Sequence, residues 1–130
     1  MMNDLDVGAW GQQVEEIVGQ CDCTAAASAE LLRKVHEILA TGPPRICFPI
    51  RPDFARSSLE ALLDAEAFES AALRLVSNCG YMLSRGGDGL FIASVVIPAA
   101  GRDYSFSGPS AEVALCGALA VSLQECLAVE

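Results

Sequence analysis

The stretch YMLSRGGDGLFIASVVI, Tyr81 to Ile97, decides the fold. Tyr81 to Arg85 alternates apolar and polar residues, Gly86-Gly87-Asp88-Gly89 punctuates the chain, and Leu90 to Ile97 is apolar and β-branched. Two such runs around a glycine-rich tetrad predict a β-hairpin, because glycine supplies the positive φ that tight turns require. Tyr104 to Ser107 alternates again and predicts a further strand. Gly108-Pro109-Ser110 then opens an apolar helix over Val113 to Leu127, with Pro109 suited to the first helical position, where an N–H would lack a partner anyway.

That closing helix has almost no polar face. Val113, Cys116, Ala120, Leu123 and Leu127 form one stripe, and Leu115, Leu119 and Cys126 widen it. A helix apolar around most of its circumference needs cover on two sides. The sheet supplies one, and the N-terminal helices or a second subunit supply the other. The expected class is therefore α+β, a small antiparallel sheet of three to four strands layered with helices as an α/β/α sandwich.

Toward the N-terminus the 3.6-residue period takes over. Val7, Trp10, Val14, Ile17 and Val18 share one face of a helix from Leu5 to Val18, opposite Gln12, Gln13, Glu15 and Glu16, with Gly19 as its stop. A second helix starts after Thr24 or Ser28 and ends at Ala40, before Gly42 and Pro43-Pro44. Arg45 to Ile50 is at most an edge strand, since Pro49 cannot donate to a ladder. Ser57 and Glu60 have the spacing of a capping box ahead of Leu59, Leu62, Leu63 and Phe68, in a helix that breaks near Asp64 and resumes to Val76. One domain results, with a helical region 1–42 and a strand/helix sandwich 43–130.

Composition narrows the chemistry. Apolar residues make up 52% of the 130 and aromatics only 6%, so the core is built from aliphatic residues and twenty alanines. No apolar run approaches the roughly 20 residues that span a bilayer. Met1-Met2-Asn3-Asp4 lacks the basic start of a signal peptide, so a cytoplasmic location is expected. Six cysteines (Cys21, Cys23, Cys47, Cys79, Cys116, Cys126) contain no CxxC pair and meet a single histidine, so they read as buried, reduced thiols, with no metal and no cofactor. Net charge is −9, with seven acids and two bases in residues 1–40. A single lysine, Lys34, and no basic stripe argue against direct nucleic-acid binding, and nothing points to a membrane.

The chemical candidates are few. His36, beside Glu37, reads as a solvated histidine on the polar side of its helix. Cys79 follows a helix C-terminus, the wrong end to stabilise a thiolate, so a Cys79–His36 nucleophile is disfavoured. Gly86 to Gly89 lacks the Lys-Ser/Thr of a phosphate loop. Glu60 and Asp64 are four apart on one helix face, without a second ligand set for a divalent ion.

Three segments carry a resemblance: Ala40-Thr41-Gly42-Pro43, Ser70-Ala71-Ala72-Leu73, and Pro-Ser-Ala-Glu-Val-Ala-Leu-Cys-Gly-Ala from Pro109 to Ala118. Together they resemble the phage ABA-sandwich domain family, small phage and prophage proteins with an α/β/α fold. The likeness spans about residues 38–127; the chain lacks that family's acidic helix after the Thr-Gly-Pro segment and adds residues 1–30. It implies origin in a mobile element and residence in a bacterial host cell, and it transfers no catalytic residue. The expected function is non-enzymatic: an accessory protein that inhibits a host defence system such as a CRISPR effector. It would present an acidic face (Glu15, Glu16, Asp22, joined by Trp10 only if that ring is not buried in the core) to the basic surface of a protein partner. Two alternatives are a sponge for a nucleotide-type ligand, held as a homodimer near Arg85, Arg102 and the Gly108 amide, and an acidic dimeric secretion chaperone.

Overall fold

The computed structural model describes residues 4–21 and 28–128. Helix α1 (Asp4–Cys21) buries Trp10, Val14, Ile17 and Cys21, a four-three-four spacing that keeps one stripe inward. It runs through Gly19 instead of stopping there. A helical glycine costs about 1 kcal/mol, and the burial of Cys21 two residues on offsets it. Helix α2 (Ser28–Thr41) buries Leu31, Leu32, Val35, His36, Ile38 and Leu39.

Trp10 fastens these two helices by donating its indole N–H to the Ile38 carbonyl at 2.8 Å. Gly42 follows α2 at this junction. A Cβ there would lie 2.5 Å from Cys47 Sγ and 2.7 Å from the Trp10 ring. The glycine therefore serves close approach, since only Gly89 and Gly101 among the described glycines have positive φ.

Arg45 to Ile50 is helical, not an edge strand. Pro44–Cys47 forms α3 and Phe48–Ile50 a 3-10 turn, each with a proline in its first positions. The Ile46 and Cys47 amides both donate to the Pro43 carbonyl, and Ile46, Cys47 and Ile50 fall on the buried side. Proline that disqualifies a strand interior suits a helix start.

Helices α4 (Arg56–Asp64) and α5 (Phe68–Leu75) replace one interrupted helix, and the break falls where Asp64 suggests. Glu66 adopts φ 57°, and the Glu66 and Ala67 amides return to the Leu63 and Leu62 carbonyls. That is a Schellman closure with glutamate where glycine is usual. The expected Ser57/Glu60 capping box does not form: α4 starts from Ala55 with no side-chain cap. Glu60 turns to arginines instead.

Strands β1 (Gly80–Arg85), β2 (Phe91–Val96) and β3 (Asp103–Gly108) form an antiparallel meander in sequence order. Leu83, Ala93 and Phe106 share one row, as do Tyr81, Val95 and Tyr104, on the face toward helix α6 (Ala111–Ala128). The other face carries Met82, Ser84, Ile92, Ser94, Val96, Ser105 and Ser107, and it is largely open to solvent.

The α+β class and the helix-on-sheet packing are as expected, and α6 is covered on two sides. β2 and β3 lie against one side; α1, α2 and α5 lie against the rest. The layers therefore run sheet, α6, outer helices, with a helix in the middle where an α/β/α order would place the sheet. One continuous core joins Trp10 of α1 to Leu123 of α6, so α1 and α2 are part of the same packing unit as the sheet and α6. By length and composition α6 could cross a membrane, yet 67% of it is buried in the fold. Ser122, its buried hydroxyl, donates to the Ala118 carbonyl at 2.9 Å.

Gly117 sets how closely α6 meets the sheet, because a Cβ there would sit 2.5 Å from the Phe106 ring. Gly117→Ala pits a helix-propensity gain of about 1 kcal/mol against overpacking of about 1–3 kcal/mol on a rigid ring. We expect net destabilisation, read as a lower urea midpoint at unchanged slope; a raised midpoint would refute the tight α6–sheet contact.

Candidate functional site

The proposed N-terminal surface is only partly as expected. Trp10 is buried and hydrogen-bonded, so it belongs to the core and not to a partner-binding face. Glu15 and Glu16 are exposed on α1, with no cation at ion-pair distance among the described residues. Asp22 lies outside the described residues.

Between α1 and α2 runs a cleft of about 210 Å³ lined by Gln13, Glu16, Ile17, Lys34, Glu37 and Ile38. Ile17 and Ile38 are buried and form an apolar floor; Glu16 and Glu37 stand exposed at its rim. Lys34 is directed to Glu30 at 3.8 Å, the next turn of its own helix. Sequence reasoning finds Glu16 from the polar face of α1, but it pairs Glu16 with the N-terminus and not with Glu37. That pairing depends on how α1 lies against α2, for which no local signal exists.

His36 departs from expectation. It is buried, with Nε2 at 3.1 Å from the Phe54 carbonyl, and since a carbonyl only accepts, that nitrogen carries the proton. Its ring meets Phe54 edge-on at 5.4 Å, and the Arg74 guanidinium lies 4.3 Å from the Phe54 centroid. The segment carrying Phe54 covers what the periodicity of α2 alone leaves as a polar face. His36 fastens that segment, its Nε2 committed to the Phe54 carbonyl and not to Cys79.

Burial pushes the Cys47 and Cys79 thiols up to about 12, and raises Cys116 as well. A nucleophile or metal ligand needs the thiolate, so these residues pack as small apolar groups. Among the described residues no group of three His, Cys, Asp or Glu is placed to hold a metal ion. Cys21 and Cys126 are also buried, and Cys23 lies outside the described residues.

Glu60 is the best-defined ionic contact. Arg33 grips it with Nε at 2.9 and 2.8 Å from the two carboxylate oxygens, and Arg56 Nε approaches at 3.2 Å. The Arg33 hydrogen bond, followed by Arg56, holds Glu60 at about 2, well below the usual carboxylate value. This pairs α2 with α4 and leaves Glu60 unavailable to a cation beside Asp64.

Arg85, Arg102 and Gly108 do not converge. Arg85 ends β1 at the hairpin, whereas Arg102 precedes Asp103, whose partner row holds Val96 and Gly80. A strand of this length separates the two arginines by about 20 Å. Gly108 shares a row with Phe91 and Arg85, but it is two strands from Arg85, and a Cβ there would meet Val113 at 2.8 Å. Within one copy the meander thus keeps these residues apart. Gly86 to Gly89 forms a hairpin turn: Gly86 N–H donates to Leu90 O at 2.8 Å, and Leu90 N–H donates to the Asp88 carboxylate at 3.0 Å.

Sequence reading missed how the arginines are held. Arg51, Arg74, Arg85 and Arg102 lie over Phe48, Phe54, Phe91 and Tyr104, with ring centroids 4.3–5.5 Å away. None of the four has a carboxylate at ion-pair distance among the described residues. In an acidic chain these stacks keep the guanidinium edges open while the rings shield their faces.

Comparison with models of known families, with curated proteins and with solved structures gave no match to this chain. The resemblance to the phage ABA-sandwich family therefore rests on its motifs.

Two measurements follow from these groups. Because the folded Glu60 value is depressed, its stabilising contribution is complete above the unfolded value near 4.5 and is lost as pH falls toward 2. Glu60→Gln should flatten the stability–pH curve across that window, read from urea midpoints at each pH; an unchanged acid limb would refute the Arg33–Glu60 grip. Thiol mapping at about pH 8 should leave the buried Cys47 and Cys116 unlabelled in native protein and label both after denaturation. Rapid native labelling of either would contradict its burial.

Proposed function

We propose that this chain is a phage- or prophage-type accessory protein of the host cytoplasm that acts by binding and inhibits a bacterial defence complex such as a CRISPR effector. The observation that carries the reading is the α1–α2 cleft, where exposed Glu16 and Glu37 rim an apolar floor of Ile17 and Ile38, with Glu15 beside them. Arg and Lys side chains combine an aliphatic stem with a cationic head. A cleft with an apolar floor and anionic rim suits both parts at once. Basic side chains of this kind cover the nucleic-acid-binding surfaces of such effectors. The net charge of −9 adds long-range steering toward such a surface.

Trp10 supports the face indirectly by fixing α1 on α2. Arg85 and Arg102 stand apart within one copy, so the ligand-sponge alternative would need residues of two copies, and no feature of the fold favours the secretion-chaperone reading.

The test is inhibition of DNA binding by a panel of purified CRISPR ribonucleoproteins, with wild type and a Glu15→Lys/Glu16→Lys variant. Wild type should abolish DNA binding by at least one effector. The variant should lose at least tenfold in potency, about 1.4 kcal/mol, with its circular dichroism unchanged. Equal potency of the two proteins would remove the acidic cleft from the mechanism. Failure of wild type on every effector would remove this target class.

A further inference from the structure

β1 is the least supported element of the fold. α6 lies across β2 and β3, and β1 is held chiefly by its pairing with β2. Tyr81 shares a row with fully buried Val95, yet it is 44% exposed, because the helix layer stops short of the strand. On the opposite face Met82 is 74% exposed. The strand has an unbroken register and contains no proline and no lysine, and its one charged residue, Arg85, stands at the hairpin end, so the stretch from Gly80 to Ser84 carries none of the devices that guard a sheet edge. The other edge, β3, is backed by α6 along its length and begins at Asp103.

The direction of the unpaired groups can be read from the hairpin. Gly86 N–H points across to Leu90 O, in register with the β1–β2 ladder. Backbone groups alternate sides along a strand, so Gly80, Met82 and Ser84 bond to β2. The N–H and C=O groups of Tyr81, Leu83 and Arg85 face outward. They form a row of three donors and three acceptors.

We propose that this edge pairs with β1 of a second copy of the chain, antiparallel across a twofold axis at Leu83, joining two three-stranded sheets into one. Residues opposite each other in a sheet share a face, which restricts the axis to a residue position. An axis at Leu83 sets Leu83 against itself and Tyr81 against Arg85 of the second copy, satisfying all of the outward groups. An axis at Met82 leaves Arg85 unpaired. The Leu83 register also places Tyr81 opposite a guanidinium on the helix-side face, twice by symmetry, a favourable cation–π contact. Arg85 already lies over Phe91 on that face. It is the one charged residue of β1, and it is cationic in a chain of net charge −9, so an acidic second copy meets least repulsion at this edge. This pairing is independent of the α1–α2 cleft.

The experiment is sedimentation equilibrium and native mass spectrometry of the full chain from about 1 μM to about 1 mM. A species of twice 13.6 kDa should form as concentration rises. Tyr81→Lys, which sets ammonium against guanidinium, should return the protein to monomer with unchanged circular dichroism. Tyr81→Lys/Arg85→Glu should restore the dimer. Equimolar Met82→Cys and Ser84→Cys proteins should cross-link on mild oxidation, since the Leu83 register places those positions about 4.5 Å apart between Cα atoms; Met82→Cys alone should stay unlinked. A monomer at every concentration, a dimer indifferent to Tyr81→Lys, or cross-linking of Met82→Cys alone would each overturn the proposal.

Discussion

The constraint on which this structure depends is that α6 must be covered nearly all the way round. From Val113 to Ala120 every residue is buried, an arrangement that no single sheet face or helix can supply. β2 and β3 cover one side, and α1, α2 and α5 share the other. Small residues make the cover close. Gly117 admits the Phe106 ring, and Ala114, Ala118 and Ala120 let neighbouring backbones approach, so dense packing is reached with few aromatics. The central helix also explains the open sheet. α6 occupies the inner face, and the other helices gather on it and on one another, which leaves the outer face open.

Legibility from sequence followed how local each determinant is. The hairpin, the third strand and the closing helix depend on alternation, glycine turns and Pro109, all within a few residues, and they were readable. The stretch Arg45 to Ile50 was not, because Pro49 and the preceding Pro44 are compatible with an edge strand and with short helical turns. The choice was made by burial of Ile46, Cys47 and Ile50 against distant elements. Glu60 shows the same limit. Its spacing from Ser57 suits a cap, but Arg33, 27 residues away, offers a bidentate charged contact that a cap cannot match.

The candidate site divides along the same line. Glu15 and Glu16 were legible because exposure on an amphipathic helix is a local property. The burial of Trp10 was legible in the apolar stripe of α1, which excludes it from the acidic face, whereas His36 was misplaced because its cover, Phe54, comes from a segment far along the chain. Within one copy Arg85 and Arg102 do not converge for a topological reason: a meander places successive strand ends at opposite ends of the sheet. Glu37 joined the acidic cleft without any local signal, through the α1–α2 packing that Trp10 fixes.

The acidic cleft and the β1 edge place opposite demands on solution conditions. Salt screens the attraction between carboxylates and a basic partner, weakening it, but it also screens repulsion between two acidic copies and so favours their pairing. A twofold axis perpendicular to the sheet would leave both α6 layers, and the α1–α2 clefts behind them, on one side. Two clefts facing one way could engage a repeated basic surface with a gain from effective concentration, without any new contact. The overhang of β1 beyond α6 would then have a mechanical role, spacing the two helical layers while the sheet keeps their orientation fixed.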